Sequence, residues 1–276
     1  MSNGPSEPIR VCLLVEQGTV REWEDAAIER MIAETSAEID VVVNDPRPDD
    51  RSTLDLLARG LELREWAAVA LLRSLFAAPF PLCDEVRLAE QPYVADAEWI
   101  DCEPETVDGW KTAIPADVVR QIRADADVAV RFGFGVLVGD VLTALDYGVV
   151  SYHHGDLREY RGQPAGCWEY IHGRSAVGIT LQRLTEQLDA GEVVVSKTVP
   201  IDDAATYTDV RGVLYEHSVD VLATAIARLE AGQTEFETVD DLGHLYTFPR
   251  GRSALRFLRK EIRGHVRRWL GQSINP

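Results

Sequence analysis

Two consecutive histidines stand where a buried strand is expected to end. His153 and His154 follow the run Gly148–Tyr152, and a serine and an acid, Ser151 and Asp156, lie beside them. Histidine has an unperturbed pKa of about 6.5, so a neighbour that fixes its tautomer lets it take and return protons near neutral pH. The cluster therefore indicates acid–base chemistry at the end of a strand.

Three other interpretations of the cluster stay open from these residues alone. Ser151 could serve a Ser–His–Asp hydrolase, although it lies outside a G-x-S-x-G elbow and close to His153 in sequence. His153, His154 and Asp156 could bind zinc, although neighbouring side chains on a strand point to opposite faces. The histidines could also be structural, with hydrogen bonds that cap the strand and the following turn. The residues further along the chain favour catalysis over all three.

Those downstream residues occur in a characteristic order. After Ser151-x-His153, the sequence has Tyr160-Arg161-Gly162, Pro164, Trp168, Gly173, Gly178-x-Thr180 and Leu188-Asp189-Ala190-Gly191. This order, with Asp189 placed 36 residues after His153, resembles the folate-dependent formyltransferase family from about Ala126 to Val199. The family includes methionyl-tRNA, glycinamide ribonucleotide and sugar N-formyltransferases. The resemblance implies an enzyme of one-carbon metabolism, with a Rossmann-like fold and formyltetrahydrofolate as co-substrate and without a metal.

In that family an Asn-x-His pair and an Asp in an L-D-x-G loop surround the formyl group, so the resemblance assigns catalysis to His153 and Asp189. An amine attacks the formyl carbon, an oxyanion develops, and the attacking nitrogen must lose a proton. His153 would stabilise the oxyanion or relay the proton, while Asp189 would orient its ring and favour its cation. Ser151 stands where the family has asparagine, and its shorter side chain leaves a water or His154 to complete the oxyanion site.

The stretch from Arg131 to Leu137, RFGFGVL, falls where the family wraps its backbone around the pterin ring. Because glycine permits close approach of the backbone, the resemblance assigns cofactor binding to Phe134, Gly135, Val136 and Leu137. An ordinary strand-to-helix turn is the alternative interpretation. The first predicted strand is followed by Gln17-Gly18-Thr19 and not by G-x-G-x-x-G, so the sequence does not indicate dinucleotide binding.

Strand-like and helix-like segments alternate around these residues. Strands are predicted at Ile9–Glu16, Ile39–Asn44, Ala67–Leu72, Ala126–Arg131, Gly148–Tyr152, Val177–Leu181 and Val193–Val199. Helices are predicted at Thr19–Glu34, Ala116–Arg123, Asp140–Leu145 and Thr208–Glu230. Apolar, β-branched strands between helices predict an α/β fold with a mostly parallel sheet, which binds its ligands at the carboxyl ends of the strands.

Charge limits the partners of the chain. There are 28 basic and 46 acidic residues, a net charge of −18, which repels phosphate backbones and argues against a nucleic acid partner. Lysine supplies only three of the basic residues, and this acidic, lysine-poor composition suggests a halophilic origin. The four cysteines form no C-x-x-C pair, so they indicate neither a disulfide framework nor zinc. The polar N-terminus lacks an apolar signal core, which predicts a cytoplasmic protein.

The composition divides the chain into a flexible N-terminus at residues 1–8, a formyltransferase-like α/β domain at 9–200 and a helical C-terminal extension at 201–276. Between positions 250 and 268 eight basic residues accompany one acid, Glu261. Ser253–Leu270 is predicted to form an amphipathic helix, with an apolar stripe of Leu255, Leu258, Ile262, Val266 and Trp269. This stripe is expected to pack on the domain while the arginines pair with the acidic body. Peripheral contact with an anionic membrane is the alternative.

A small amine, such as the amino group of an amino-sugar nucleotide, is the expected formyl acceptor. The overall charge and a tail without a recognisable β-barrel domain argue against tRNA, and the lack of a regulatory domain ahead of Ile9 argues against hydrolysis of formyltetrahydrofolate. Ser151 and the additional tail argue against the purine enzyme. The alternatives are a catalytically impaired, formyltransferase-like binding protein and an enzyme like methionyl-tRNA formyltransferase.

Overall fold

A computed structural model of the chain describes residues 8–48 and 80–272. The predicted strand Ala67–Leu72, most of the predicted N-terminal segment 1–8 and the last four residues lie outside the described residues. The described strands are β1 Arg10–Glu16, β2 Thr19–Arg21, β3 Glu38–Asp45, β4 Glu85–Arg87, β5 Glu98–Asp101, β6 Glu105–Val107, β7 Lys111–Ala113, β8 Val128–Arg131, β9 Val136–Val138, β10 Val149–His153, β11 Tyr160–Gly162, β12 Ala176–Arg183, β13 Glu192–Pro200 and β14 His244–Tyr246. The described α-helices are α1 Glu22–Glu34, α2 Ala116–Asp125, α3 Val141–Ala144, α4 Cys167–His172, α5 Tyr207–Glu216, α6 Val219–Glu230 and α7 Arg252–Gln272.

The central sheet is mostly parallel, as the sequence predicts. Its middle runs in the order β5-β3-β1-β8-β10 with every neighbouring pair parallel, and β12 and β13 extend it beyond β10 in antiparallel orientation. The short strands β2 and β4 continue from the end of β1. This sheet, covered by helices, confirms the predicted α/β fold class and its helical C-terminal segment.

The apolar side chains of the strands alternate between the two faces of the sheet and form one hydrophobic cluster on each face. In β1, Val11, Leu13 and Val15 contribute to one cluster, while Cys12 and Leu14 contribute to the other. Because side chains on a strand alternate between faces, an apolar run of this kind must be covered on both sides. The first cluster includes residues of α1, α5 and α6, and the second includes residues of α2 and α3.

Two predicted helices differ from those in the structure. The segment Thr19–Glu34 begins with strand β2, whose Val20 pairs with Val86 of β4, and the helix starts only at Glu22. The segment Thr208–Glu230 forms two helices, α5 and α6, that are separated at residues 217–218. Ser218 explains this break, because its hydroxyl donates to the carbonyl of Leu214 and so competes with continuation of the helix.

The C-terminal helix forms where it is predicted, but it packs through another face. Leu255 is 54% exposed, Ile262 and Val266 are also exposed, and the buried face carries Phe257 and Glu261. Of the predicted apolar stripe only Leu258 packs against the described core, so the expectation that the stripe as a whole packs on the domain is wrong.

The contacts of the buried face give the reason. Oε1 of Glu261 accepts hydrogen bonds from the Tyr170 hydroxyl at 3.0 Å and the Tyr207 amide at 2.7 Å. A Cβ at Gly264 would lie 2.0 Å from the carbonyl oxygen of Ala205, so only glycine allows the helix to approach this closely. Among the basic residues of α7, Arg268 forms an ion pair with Asp209 of α5.

Residues on both sides of position 200 share one core. Val210, Leu222 and Phe257 belong to the same hydrophobic cluster as Val11 of β1. The predicted division at residue 200 is therefore a division of sequence composition that does not coincide with a break in packing. Among the described residues, no helix is both long enough and apolar enough to span a membrane.

Candidate active site

The site is built on the carboxyl ends of two neighbouring parallel strands. Arg131 ends β8 and His153 ends β10, and the pairing of the strands sets Ser151 directly opposite Arg131. Because side chains alternate, Ser151 and His153 lie on one face of the sheet, whereas His154 lies on the other. Parallel α/β sheets bind their ligands at this edge.

His153 is buried, with 7% of its surface exposed, and both ring nitrogens have partners. Nε2 lies 2.9 Å from the carbonyl oxygen of Tyr160, which can only accept, so Nε2 carries a hydrogen and donates it. Nδ1 lies 3.4 Å from Oδ1 of Asp189. Nδ1 is therefore the nitrogen that gains and loses a proton, and it faces the carboxylate.

The loop between β12 and β13 holds Asp189 in place. Its Oδ2 accepts a hydrogen bond from the amide of Gly162 at 2.9 Å, and its backbone adopts a φ of +45°, which is unusual for a residue with a side chain. Arg161 donates to the carbonyl of Leu188 at 3.3 Å in the same loop. The Tyr160-Arg161-Gly162 segment thus positions both members of the His153–Asp189 pair.

The two partners shift each other's pKa in the expected directions. Burial acts to lower the pKa of His153, but the hydrogen bond and charge of Asp189 outweigh it and raise that pKa above the usual value. Burial acts to raise the pKa of Asp189, and the contacts with His153 and the Gly162 amide outweigh it, so the pKa is lowered. The pair therefore favours an imidazolium beside a carboxylate.

Ser151 contacts an arginine that the sequence did not identify as a site residue. Its Oγ accepts hydrogen bonds from Arg131 Nε at 3.1 Å and Arg131 Nη2 at 2.9 Å. No hydrogen bond joins Ser151 to His153 in the described part of the chain, so the Ser–His–Asp hydrolase interpretation finds no support. Strand pairing, which a single sequence does not reveal, is the signal that would have identified Arg131.

The predicted cofactor segment is joined to this site through the same arginine. Nη1 of Arg131 donates to the carbonyls of Gly133, at 3.3 Å, and Gly135. Phe134 and Leu137 direct their side chains into the core, and Gly135, with a φ of +54°, is exposed. Only the backbone of this segment, and the half-buried Val136, could therefore contact a ligand.

His154 does not contribute to the oxyanion site, which corrects one expectation from the sequence. On the opposite face of the sheet, its ring packs edge-on against the stacked rings of Trp23 and Tyr215, and its Nε2 contacts the hydroxyl of Ser218 at 2.9 Å. Burial lowers the pKa of His154 to about 3, so it stays neutral. The described residues also contain no group of three His, Cys, Asp or Glu side chains that could hold a metal.

Glu169 of α4 is a second residue near the site that the sequence did not indicate. It is 3% exposed, and burial raises the pKa of its carboxyl group to about 7. Its Oε1 has no hydrogen-bond partner among the described residues. With Glu159 and Arg174 it lines a cavity of about 220 Å³ beside Tyr160.

The C-terminal part of the chain contributes to the surroundings of the site. Strand β14 pairs in parallel with β11, so Gly162 lies opposite Tyr246. The Tyr246 ring stacks on Tyr160 at a centroid distance of 5.4 Å and lies 4.6 Å from the ring of Trp168. An aromatic layer therefore covers the segment that holds His153 and Asp189.

The mostly parallel sheet, with helices on both faces and the His153–Asp189 pair at its carboxyl edge, defines an α/β domain with a candidate active site. Residues 101–226 match the family model described as formyl transferase. A methionyl-tRNA formyltransferase from Nitrobacter winogradskyi is 28% identical over 158 residues, which are 57% of this chain and 50% of that protein. The chain therefore aligns with about half the length of this relative.

Two solved structures have the same fold. Glycinamide ribonucleotide transformylase 1 from Symbiobacterium toebii gives a TM-score of 0.54 at 17% identity, covering 84% of this chain and 95% of that chain. A sugar N-formyltransferase from a Shewanella species gives a TM-score of 0.53 at 13% identity, covering 91% of this chain and 87% of that chain. The predicted resemblance to the formyltransferase family is confirmed. The roles assigned to individual residues remain predictions.

Proposed function

We propose that this protein is a cytoplasmic enzyme that transfers the formyl group of formyltetrahydrofolate to the amine of a small molecule, such as an amino-sugar nucleotide. One observation carries the proposal: the backbone carbonyl of Tyr160 fixes the Nε2 hydrogen of His153 and leaves Nδ1 facing Asp189. In its neutral form His153 can accept at Nδ1 the proton that the attacking amine must lose, and Asp189 stabilises the imidazolium that results. The family resemblance supplies the formyl donor.

The acceptor class rests on charge and on the surroundings of the site. A net charge of −18 opposes the phosphate backbone of a tRNA. The carboxyl groups of Asp156 and Glu159 line the cavity beside Tyr160, and such a surface suits a small cation such as a protonated amine. A formyltransferase-like protein that binds folate without turnover, and a tRNA-modifying enzyme, are the competing functions.

Release of tetrahydrofolate tests the proposal. The purified protein is incubated with formyltetrahydrofolate and a panel of amino sugars, other small amines and methionyl-tRNA, together with the variants His153→Ala and His217→Asn. His217 lies at the end of α5 and serves as the matched control. We expect turnover with at least one small amine, a loss of about 10²–10⁴-fold in His153→Ala, and wild-type turnover in His217→Asn.

Folding must be measured alongside, because His153 is buried and its replacement leaves the Tyr160 carbonyl without this partner. Truncation should cost about 1–3 kcal/mol of stability, which thermal unfolding will register. Folate binding without turnover of any amine would support the binding protein, and turnover of methionyl-tRNA alone would support the tRNA enzyme. Either result would overturn the proposed function.

We further propose that the exposed stripe of α7 contacts an anionic lipid surface. Leu255, Ile262 and Val266 form one exposed face of the helix. Beside this face runs a second exposed face that consists of arginines: Arg252, Arg256, Arg259, Arg263 and Arg267. An apolar stripe next to a row of cations is the pattern of helices that lie in the membrane interface, and the row complements the charge of anionic lipids.

Sedimentation with vesicles tests this contact. Wild type, Ile262→Gln/Val266→Gln and the control Trp110→Gln, which removes an exposed aromatic elsewhere, are mixed with vesicles of phosphatidylcholine alone or with phosphatidylglycerol. We expect salt-sensitive binding of wild type to the anionic vesicles and a loss of about tenfold or more in the double variant only. Equal sedimentation of wild type and the double variant would contradict the proposal. A difference in oligomeric state between wild type and the double variant would also contradict it, because the stripe would then bind a second copy of the chain.

A further inference from the structure

The residue opposite Ser151 occupies the space that a longer side chain at position 151 would need. Arg131 reaches across from β8, and its Nε and Nη2 both donate to Ser151 Oγ, at 3.1 and 2.9 Å. The guanidinium plane therefore lies against the serine, at the strand end where the family's asparagine would extend.

The position of the guanidinium is fixed from two sides. Nη1 donates to the carbonyls of Gly133 and Gly135, while Nε and Nη2 donate to Ser151. An arginine carries five N–H groups, and within the described part of the chain these contacts use four. The fifth belongs to Nη2, on the side of the group that contacts Ser151. A rigid fork with one remaining donor is a preorganised hydrogen-bond site.

The charge around the guanidinium suits a developing anion. Arg131 interacts electrostatically with the carboxylate of Asp189, and also with those of Glu16 and Glu24. Asp189 in turn contacts His153 and the Gly162 amide. When His153 has accepted a proton, the cations of Arg131 and His153 both lie beside the carboxylate of Asp189. A charged donor binds an oxyanion more strongly than the neutral carboxamide of asparagine, because a hydrogen bond is strengthened when its donor is ionised.

We propose that Arg131 supplies the oxyanion donor that asparagine supplies elsewhere in the family, and that Ser151 positions it. This inference rests on the proposed formyl transfer. The amine nitrogen bonds to the formyl carbon, and the electron pair of the carbonyl bond moves to the oxygen, which Arg131 stabilises. The amine proton passes to Nδ1 of His153. As the oxygen pair returns, the bond from carbon to the folate nitrogen breaks, and that nitrogen receives the proton.

Rates of tetrahydrofolate release in Arg131 and Ser151 variants test the inference. We expect Arg131→Ala to lower kcat by about 10²–10³-fold, as does removal of a single oxyanion donor in other enzymes. The dissociation constant for formyltetrahydrofolate should stay close to that of wild type. Ser151→Ala should lower kcat by about tenfold or less, because Gly133 and Gly135 still hold the guanidinium. If Arg131→Ala does not fold, Arg131→Lys, which retains the charge, is measured in its place.

Two rescue experiments separate a donor from a merely structural residue. Ser151→Asn alone should not raise activity, because Arg131 fills the space, but Ser151→Asn combined with Arg131→Ala should recover at least about tenfold over Arg131→Ala. Added guanidinium ion should also raise the rate of Arg131→Ala and leave wild type unchanged. An active wild type with an Arg131→Ala rate within threefold of it, or absence of both rescues, overturns the inference. Absence of turnover in wild type overturns the proposed function itself.

Discussion

Nδ1 of His153 lies 3.4 Å from Oδ1 of Asp189, and Nε2 of the same ring donates to the Tyr160 carbonyl. The Tyr160 carbonyl keeps the hydrogen on Nε2, so Nδ1 is the ring nitrogen that titrates. A histidine whose second nitrogen is fixed in this way exchanges its proton at one place only, and here that place faces a carboxylate. The geometry leads to a prediction about charge and to another about rate.

Asp189→Asn should lower the pKa of His153 and reduce turnover by about 10²–10⁴-fold. The amide can still hydrogen-bond the ring, but it no longer stabilises the imidazolium, so burial of the ring dominates. Histidine ring NMR between pH 5 and 8 measures the titration. His154, with a pKa lowered to about 3, should stay neutral in both proteins and serves as an internal control. An unchanged titration midpoint for His153 would show that Asp189 does not set its charge.

Glu169→Gln should make stability less dependent on pH. The folded-state pKa of Glu169 is raised to about 7 from an ordinary value of 4.5, so the folded state keeps a proton that the unfolded chain releases. Stability is therefore highest below about pH 4.5 for this group and falls as the pH rises towards 7, by about 3 kcal/mol in all.

Urea unfolding of wild type and Glu169→Gln at pH 4.5, 5.0 and 5.5 measures this effect below the pH range in which histidines of the unfolded chain lose their protons. Glu24 of α1 also has a pKa raised to about 7 by burial. Glu24→Gln should therefore remove the contribution of Glu24 to the change in unfolding free energy with pH and leave the contribution of Glu169. Glu29→Gln on the exposed side of α1 should change nothing. Equal slopes in wild type and Glu169→Gln would mean that Glu169 is ionised in the folded protein.

Phe257→Ala should destabilise the protein by about 3–5 kcal/mol, whereas Leu255→Ala should cost less than about 0.5 kcal/mol. Phe257 is fully buried against Tyr170 and Tyr207, while Leu255 two positions earlier is 54% exposed. Thermal or chemical unfolding of both variants measures the difference. The reverse order of stabilities would mean that the apolar stripe is the face that packs.

Gly162→Ala should reduce both stability and turnover. Gly162 has a φ of +87°, and a Cβ there would lie 2.0 Å from the carbonyl oxygen of Tyr246, so β11 and β14 would have to separate. The amide of Gly162 would then release Asp189. Gly232→Ala is the control, because φ is similar at +74° and nothing lies within 4 Å of a Cβ. That variant should show only the conformational cost, about 1–2 kcal/mol, and normal turnover.

Most of the sheet could be predicted from local signals, whereas the His153–Asp189 pair was predicted from the resemblance to the formyltransferase family. β-branched runs such as residues 39–44 indicate buried strands wherever they occur, and the family that the order of motifs resembles implies that His153 and Asp189 lie together. Arg131 was not predicted as a site residue, because its contact with Ser151 depends on the pairing of β8 with β10. A single sequence does not show which side chains are neighbours on paired strands.

The prediction of which face of α7 is buried was wrong for a related reason. Hydrophobic spacing alone favours the stripe of Leu255, Ile262 and Val266 as the inward face. The structure buries Glu261 because two donors from other elements, Tyr170 and Tyr207, satisfy one of its oxygens. Partners of this kind come from tertiary structure, so they are invisible to the periodicity of the helix itself.

The pairing of β11 with β14 has a consequence for the order in which a newly made chain can mature. Residues 160–162 contact both His153 and Asp189, yet their strand partner, 244–246, is synthesised about eighty residues later. A nascent chain can fold its N-terminal strands as they emerge, but residues 160–162 stay without that partner until residues 244–246 have left the ribosome. Premature termination before residue 244 should therefore yield a chain that has the strands of the sheet but lacks the closure of its own active site.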